Sequence, residues 1–335
     1  MTSNSSIYKK QTLSIDDYVD GILNKNRMIL ARAITLVESN AKEHIKIAQE
    51  LMRRILPYSG NSIRIGITGV PGVGKSSFIE TLGAYILEQG NKLAVLAIDP
   101  TSSISGGSIL GDKTRMEKIS RDERCFIRPS PSGGMLGGVA RKTRESMLIC
   151  EAAGFDIIFI ETVGVGQNEI TVRSMVDFFL LLMLSGAGDE LQGIKKGIIE
   201  IADAILINKA DGPNKPIAEL ARNEYERALH YISSATEGWK THVYTCSALT
   251  GEGISEIWDV IQDFKIKTKE SGIFASHRNS QRLEWLHRII DEHLKYIFFK
   301  HPQIAESLPS FEKLVKDGKI SPAEAAEKLI NLLGI

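Results

Sequence analysis

The sequence predicts an α/β fold in which helices flank a mainly parallel β-sheet, with helical extensions at both ends of the chain. Two observations support this prediction. Continuous apolar runs alternate with helical patterns between residues 61 and 268, and strands without polar alternation are typical of a parallel sheet that is covered on both faces. A glycine-rich segment, residues 69–76, lies directly between one such run and a helical pattern.

Residues 1–60 are predicted to form an N-terminal helical extension. Ser14 and Asp17 are spaced as in a capping box, which starts a helix. Apolar residues then recur at helical spacing until Pro57 and Gly60 end the pattern.

Residues 61–268 are predicted to form the sheet domain. The apolar runs place strands at residues 63–68, 93–99, 156–161, 178–184, 204–207 and 243–246. The loops at residues 99–115 and 130–141 are rich in glycine and serine, and long loops at strand ends are usually functional. Residues 269–335 have a purely helical pattern, and we predict that they form a separate C-terminal region.

The composition argues against some classes of partner and indicates the cellular location. The 41 basic and 41 acidic residues give no net charge, so we expect no nucleic-acid partner. The most apolar run, residues 178–184, is too short to span a bilayer, so we expect no membrane partner. The 3 cysteines lie far apart and indicate neither a disulfide framework nor a zinc site. We therefore expect a reducing, cytoplasmic location, with an organelle matrix as the alternative.

Residues 69–76 fit G-x-x-x-x-G-K-[ST], the phosphate-binding loop or P-loop. Its backbone N–H groups and the N-terminus of the following helix bind phosphates. Lys75 is predicted to reach the β- and γ-phosphates as a catalytic group, and Ser76 is predicted to bind Mg²⁺. The predicted nucleotide-binding residues of the loop are Gly69, Gly72, Val73, Gly74, Lys75, Ser76 and Ser77.

A second motif, Asn-Lys-Ala-Asp at residues 208–211, selects the base. A carboxylate at Asp211 can accept from both N1–H and the 2-amino group of guanine, whereas adenine offers no such pair of donors. The two motifs together predict GTP and GDP as ligands. A backbone N–H just past the last predicted strand is placed to meet the guanine O6. The predicted base-binding residues are Asn208, Lys209, Asp211, Ser247 and Ala248.

Carboxylates at strand ends beside a P-loop are well placed to bind Mg²⁺ or its waters. Asp99 ends the second predicted strand, Glu161 ends the third, and Asp112 lies in the loop between them. The predicted metal-binding residues are Ser76, Asp99, Asp112 and Glu161, and Glu161 is also predicted to be catalytic. Helix capping or a solvated loop is the alternative for Asp99 and for Glu161.

The segment after Glu161 predicts slow hydrolysis by the free protein. Gly164 is predicted to contact the γ-phosphate through its N–H. Val165 follows it, and an apolar side chain cannot orient water, so Gln167 or a partner would have to supply that group. Arg115 and Lys195 are predicted to be catalytic charge-stabilising residues, although such residues are more often solvated surface groups.

The histidines are scattered, and no pair has metal-binding spacing on a predicted helix face. His293 follows Asp291 and Glu292 and lacks the glycine and strand context of a cobalamin-ligating histidine. We therefore expect no cobalamin bound through histidine in this chain.

Several long motifs together resemble the MeaB/ArgK/MMAA family of SIMIBI-class P-loop GTPases. They lie at residues 69–77, 99–116, 129–138, 161–169, 183–198 and 208–211, and the resemblance extends through nearly the whole chain. It implies a GTPase that acts as a chaperone and regulator of adenosylcobalamin loading and protects methylmalonyl-CoA mutase. It also implies Mg²⁺, the mutase as partner, cobalamin adenosyltransferase as a further candidate partner, and a homodimer.

The resemblance also assigns roles to single residues. It places Arg115 in the first switch region and implies that residues 186–196 form an additional switch, in which Lys195 couples to the partner. Ser185 stands where the family pattern has proline, which is expected to loosen that loop. The candidate dimer surface is the apolar stripe Leu283, Leu286, Ile290, Leu294 and Ile297.

Two other functions remain open from the sequence. A kinase that phosphorylates a transport-system protein needs a base beside an acceptor pocket, which the motifs do not reveal. A nickel-insertion GTPase of related fold needs a histidine–cysteine cluster, which the sequence lacks.

Overall fold

A computed structural model describes residues 13–99, 116–131, 136–162, 169–185 and 196–334. Within these residues, seven strands form one sheet in the order β3-β2-β4-β1-β5-β6-β7. The strands are β1 (Ile63–Gly69), β2 (Leu93–Asp99), β3 (Cys125–Pro131), β4 (Ile157–Thr162), β5 (Phe178–Leu184), β6 (Ala204–Asn208) and β7 (His242–Thr245). All neighbouring strands are parallel. Their carboxyl ends therefore lie at one edge, and the predicted fold class is confirmed.

Helices precede, separate and follow the strands in the chain order. They are α1 (Ile15–Leu23), α2 (Arg27–Glu38), α3 (Lys42–Ile55), α4 (Lys75–Glu88), α5 (Glu117–Ser120), α6 (Leu136–Ala152), α7 (Glu169–Arg173), α8 (Lys196–Glu200), α9 (Lys215–Leu229), α10 (Ile254–Glu270), α11 (Ile273–Lys300), α12 (Pro302–Lys316) and α13 (Pro322–Asn331). Strands β1, β4 and β6 are buried along their whole length. This is the pattern expected of strands that are covered on both faces.

The N-terminal helices share the core of the sheet. Ser14 and Asp17 form the predicted capping box at the start of α1. Ile22, Ile34 and Leu51 are fully buried in the same apolar cluster as the strands. The buried faces of α1, α2 and α3 therefore attach the N-terminal helices to the α/β structure.

Strand β3 lies outside the predicted strands. Its sequence contains Pro129 and Pro131, and proline cannot donate a hydrogen bond to a strand ladder. Among the described strands β3 pairs with β2 alone, with Pro129 opposite Ala97. An edge strand tolerates proline, which explains why the apolar-run criterion missed it. Helix α6 likewise begins inside the predicted loop 130–141.

The chain folds as two compact units, Met1–His277 and Arg278–Ile335. The second unit contains the rest of α11 together with α12 and α13, which confirms a helical C-terminal region. In the part of the chain that the structure describes, no helix is both long enough and apolar enough to cross a membrane.

Candidate functional site: a nucleotide cavity at the carboxyl edge of the sheet

The P-loop turns from β1 into α4 through glycines that the geometry requires. Gly74, the N-cap of α4, has a φ of 90°, a left-handed conformation that favours glycine. A Cβ there would lie 3.1 Å from Asn208 Nδ2. At Gly69 a Cβ would lie 2.4 Å from the carbonyl oxygen of Leu182 on β5. A side chain at Gly69 would therefore push the loop away from the neighbouring strand.

Lys75 lies across the loop that it follows. Its ammonium donates to the carbonyl of Gly69 at 2.8 Å and to that of Val70 at 3.3 Å. Burial lowers the pKa of Lys75, while the nearby carboxylates of Glu161 and Glu169 act to raise it. The Lys75 ammonium therefore lies at the loop that the motif predicts to bind the negatively charged phosphates.

Ser76 and Glu161 meet at the proposed metal position. The Ser76 hydroxyl donates to Glu161 Oε1 at 3.3 Å, and Glu161 is only 5% exposed. On β4, Glu161 lies level with Ile67 of β1 and Ala97 of β2. A carboxylate and a hydroxyl are hard oxygen donors, the type that Mg²⁺ prefers. These two residues therefore fit a magnesium ion.

The base motif is tied directly to the P-loop. Asn208, the last residue of β6, donates through Nδ2 to the carbonyl of Val73 at 2.8 Å. Lys209 has a φ of 61° and donates through Nζ to the carbonyl of Gly72 at 2.8 Å. The two predicted motifs therefore lie side by side, because β6 and β1 end at the same edge of the sheet.

Ser247 positions the carboxylate of Asp211. The Ser247 hydroxyl donates to Asp211 Oδ2 at 2.5 Å and accepts from the N–H of Thr250 at 3.1 Å. The N–H of Ala248 donates to Asn208 Oδ1 at 3.1 Å. In the structure, Ser247 and Ala248 hold residues of the base motif in place. The prediction that a backbone N–H of this segment meets the guanine O6 remains a prediction.

A cavity of about 520 Å³ connects the two motifs. This is within the usual size range of small-molecule sites. Its lining includes Gly74, Ser77, Glu80, Thr81, Ala84, Lys118, Asn208, Lys209, Asp211, Ala248, Leu249, Thr250 and Gly251. Sequence reasoning missed Glu80, Thr81 and Lys118. Glu80 and Thr81 lie three and four residues after Ser77 on α4, so helical spacing was the available signal.

Several predicted site residues lie outside the described residues. They are Asp112, Arg115, Gly164 and Lys195. For Asp99 the structure describes the backbone, which ends β2 at the same edge of the sheet as Glu161. Their predicted roles remain predictions.

Comparisons with known proteins agree with this geometry. A family model described as "Methylmalonyl Co-A mutase-associated GTPase MeaB" matches residues 30–303. The GTPase ArgK of Escherichia coli is 46% identical over 303 residues, covering 90% of this chain and 92% of ArgK. The mitochondrial methylmalonic aciduria type A homolog of Mus musculus is 44% identical, covering 96% of this chain and 80% of that protein.

A solved structure has the same architecture. It is described as a LAO/AO transport system kinase, and it superposes with a TM-score of 0.79 at 37% identity, covering 97% of this chain and 100% of that one. The family model, these relatives and the joined nucleotide motifs lead to one conclusion: the chain belongs to the MeaB family of methylmalonyl-CoA mutase-associated GTPases.

Proposed function

We propose that this chain binds GTP together with Mg²⁺ in the cavity between the P-loop and the base motif, and hydrolyses it to GDP and phosphate. The observation that carries the proposal is the pair of hydrogen bonds from Asn208 and Lys209 to the P-loop carbonyls. These bonds fix the distance between the phosphate end and the base end of one cavity. Asp211, held by Ser247, then presents a carboxylate to the two guanine donors.

In this proposal the P-loop end of the cavity binds the phosphates and the metal ion, and the other end binds the base. The loop N–H groups and Lys75 bind and orient the β- and γ-phosphates. Ser76 and Glu161 would hold Mg²⁺, with Asp99 and Asp112 as further candidate ligands, and the ion would offset negative charge on the phosphates. Because Val165 cannot orient water, we propose that turnover by the free protein is slow and that a partner accelerates it.

We propose that the partner is methylmalonyl-CoA mutase and that the chain is its GTP-dependent chaperone, acting on adenosylcobalamin loading and enzyme protection. The family description supports this partner. Cobalamin adenosyltransferase is a further candidate member of the complex.

We also propose a homodimer formed through α11. On that helix, the exposed fractions of Leu283, Leu294 and Ile297 are 59%, 59% and 61%. Exposed apolar stripes of this kind mark protein interfaces.

The partner proposal is tested with purified mutase from the same organism. Binding is measured by calorimetry in the presence of GDP and of a non-hydrolysable GTP analogue, and phosphate release from GTP is measured with and without mutase. We expect binding that depends on the nucleotide and a faster release of phosphate. An absence of binding in both nucleotide states, together with an unchanged rate, would contradict the partner proposal and leave the GTPase proposal standing.

A kinase activity is the second candidate, because the solved structure at 37% identity is described as a transport system kinase. The two activities differ in the fate of the γ-phosphate. We expect γ-labelled GTP to release its label as free phosphate. Stoichiometric transfer of the label to a protein or small molecule would favour the kinase instead.

A further inference from the structure

The nucleotide cavity has two charged lining residues that belong to neither motif, Glu80 and Lys118. Glu80 on α4 and Lys118 on α5 line the cavity together with residues of the P-loop and the base motif. A nucleotide with its phosphates at Lys75 and its base at Asp211 has its ribose between these ends. The ribose therefore lies within the cavity that both side chains line.

Glu80 also fixes the position of α5. Met116, the N-cap of α5, provides no side-chain cap, and the N–H of Lys118 donates instead to Glu80 Oε1 at 2.8 Å. A helix start has unpaired N–H groups that need an acceptor. Here the acceptor comes from the P-loop helix itself.

Apolar contacts complete this docking of α5 on α4. Met116 and Ile119 are buried, at 0% and 1% exposure. Gly83 permits the close approach, because a Cβ there would lie 3.2 Å from Ile119 Cδ1. Lys118 is thereby held at the cavity by a packed helix turn.

The Glu80 carboxylate and the Lys118 ammonium can both form hydrogen bonds with a ligand in the cavity. Within the described residues, the Glu80 carboxylate makes one hydrogen bond, in which Oε1 accepts from the Lys118 N–H. Its other oxygen, Oε2, has no hydrogen-bond partner among those residues. The Lys118 ammonium forms no ion pair within the same described residues, and the side chain is exposed. A carboxylate accepts hydrogen bonds and an ammonium donates them, while a sugar hydroxyl can do both.

We propose that Glu80 and Lys118 form the ribose subsite of the nucleotide cavity, where Glu80 accepts from a ribose hydroxyl and Lys118 donates to one. The inference rests on the proposed function, because it requires a guanine nucleotide in this cavity. GTP and GDP carry the same ribose, so the subsite contributes equally to the binding of both and distinguishes ribonucleotides from deoxyribonucleotides.

The subsite also joins two helices. A ribose held by Glu80 and Lys118 contacts both α4 and α5. It thereby adds a bridge between the P-loop helix and the short helix that carries Lys118.

The experiment compares nucleotides that differ in the sugar alone. Calorimetry measures the affinity of GDP, 2′-deoxy-GDP and 3′-deoxy-GDP for the wild type and for Glu80→Ala, Glu80→Gln and Lys118→Ala. Glu80→Gln keeps an oxygen for the Lys118 N–H, so it separates the cap on α5 from the charge in the cavity. Glu88→Ala is the matched control, because Glu88 is an exposed glutamate at the end of the same helix.

We expect the wild type and Glu88→Ala to bind GDP about tenfold more tightly than at least one deoxy analogue, the size of one hydrogen bond to a charged group. In Glu80→Ala and in Lys118→Ala this preference is expected to fall, and in Glu80→Gln it is expected to shrink by less than in Glu80→Ala. Melting temperatures without nucleotide report folding separately.

Two results would overturn the inference. A wild type that binds GDP and both deoxy analogues equally has no ribose subsite, and a Glu80→Ala variant that keeps the full preference places the subsite elsewhere. Both results leave the proposed function intact. A wild type that binds no guanine nucleotide overturns the proposed function and this inference together.

Discussion

Asn208 donates to the carbonyl of Val73 at 2.8 Å, and this bond joins the base motif to the P-loop. The opposite side of the same carboxamide accepts the N–H of Ala248 at 3.1 Å. Asn208 is 1% exposed, so both bonds are shielded from water. One buried side chain therefore holds together the loops that follow β1, β6 and β7.

Replacing Asn208 with alanine is expected to loosen all three loops. The change removes three side-chain hydrogen bonds, including one accepted from the Cys246 thiol at 3.4 Å. Their loss is expected to cost about 1–3 kcal/mol in the free energy of unfolding. GTP and GDP are expected to lose affinity together, because the change affects the shape of the cavity. Urea unfolding and calorimetry measure the two effects, with the exposed Asn223→Ala on α9 as control. An unchanged affinity for both nucleotides would show that the cavity keeps its shape without this link.

Glu161→Gln is expected to reduce turnover more than GDP binding. The amide keeps the size of the side chain and removes the charge beside Ser76, where charge matters most in the transition state. We expect a fall of at least about 100-fold in kcat for GTP hydrolysis and a higher requirement for Mg²⁺. Phosphate release at increasing Mg²⁺ and calorimetry with GDP provide the comparison. Equal losses in turnover and GDP affinity would place Glu161 in structural support.

Lys195→Ala tests the predicted switch at residues 186–196. A loop outside the P-loop and the base motif can change turnover only through contacts that differ between two states. We therefore expect nearly normal basal hydrolysis and a weaker stimulation by the mutase. The measurement is steady-state phosphate release with and without saturating mutase. Equal stimulation of wild type and variant argues against the switch, and a collapse of the basal rate would make Lys195 a direct catalytic group.

Glu145 on α6 predicts a pH dependence of stability. Burial raises its pKa to about 7, against the lowering effect of Arg141 and Lys142. The native state therefore binds a proton that the unfolded state releases between about pH 4.5 and 7, so stability falls as the pH rises through that window. Glu145→Gln removes this loss and is expected to stabilise the protein by about 1–3 kcal/mol at pH 8.

Urea unfolding at pH 5 and pH 8 checks the Glu145 prediction. The difference in unfolding free energy between Glu145→Gln and wild type is expected to grow from pH 5 to pH 8. The same substitution at an exposed position, Glu256→Gln on α10, serves as control for the loss of a glutamate charge. A difference that is the same at both pH values would mean that Glu145 does not titrate in this window.

The sequence predicted the parts of the site that short motifs encode. Lys75, Asn208 and Asp211 could be brought together in advance, because parallel strands end at one edge and each motif follows a strand. Glu80 and Lys118 are 38 residues apart, and their contact depends on how α5 packs against α4. No local pattern records such packing.

Most strands of the fold were also predictable from the sequence, but not all of them. The apolar runs identified the five inner strands and also the edge strand β7. They did not identify β3, because an edge strand tolerates the two prolines that would exclude it from the interior. The division of the chain at His277 within α11 also has no signal in local periodicity, because one helix continues through it.

The central claim is that Asp211 selects guanine in the cavity that the P-loop closes, and exchange of the base tests it most directly. Asp211→Asn replaces one acceptor oxygen with an amide donor, which no longer fits the guanine 2-amino group but fits the carbonyl at the same position of xanthine. The measurement is steady-state phosphate release from GTP and from xanthosine triphosphate by wild type and Asp211→Asn. We predict that the variant loses at least about 100-fold in kcat/KM for GTP and gains activity on xanthosine triphosphate. An unchanged preference for GTP in the variant would contradict the assignment of this cavity as the nucleotide site.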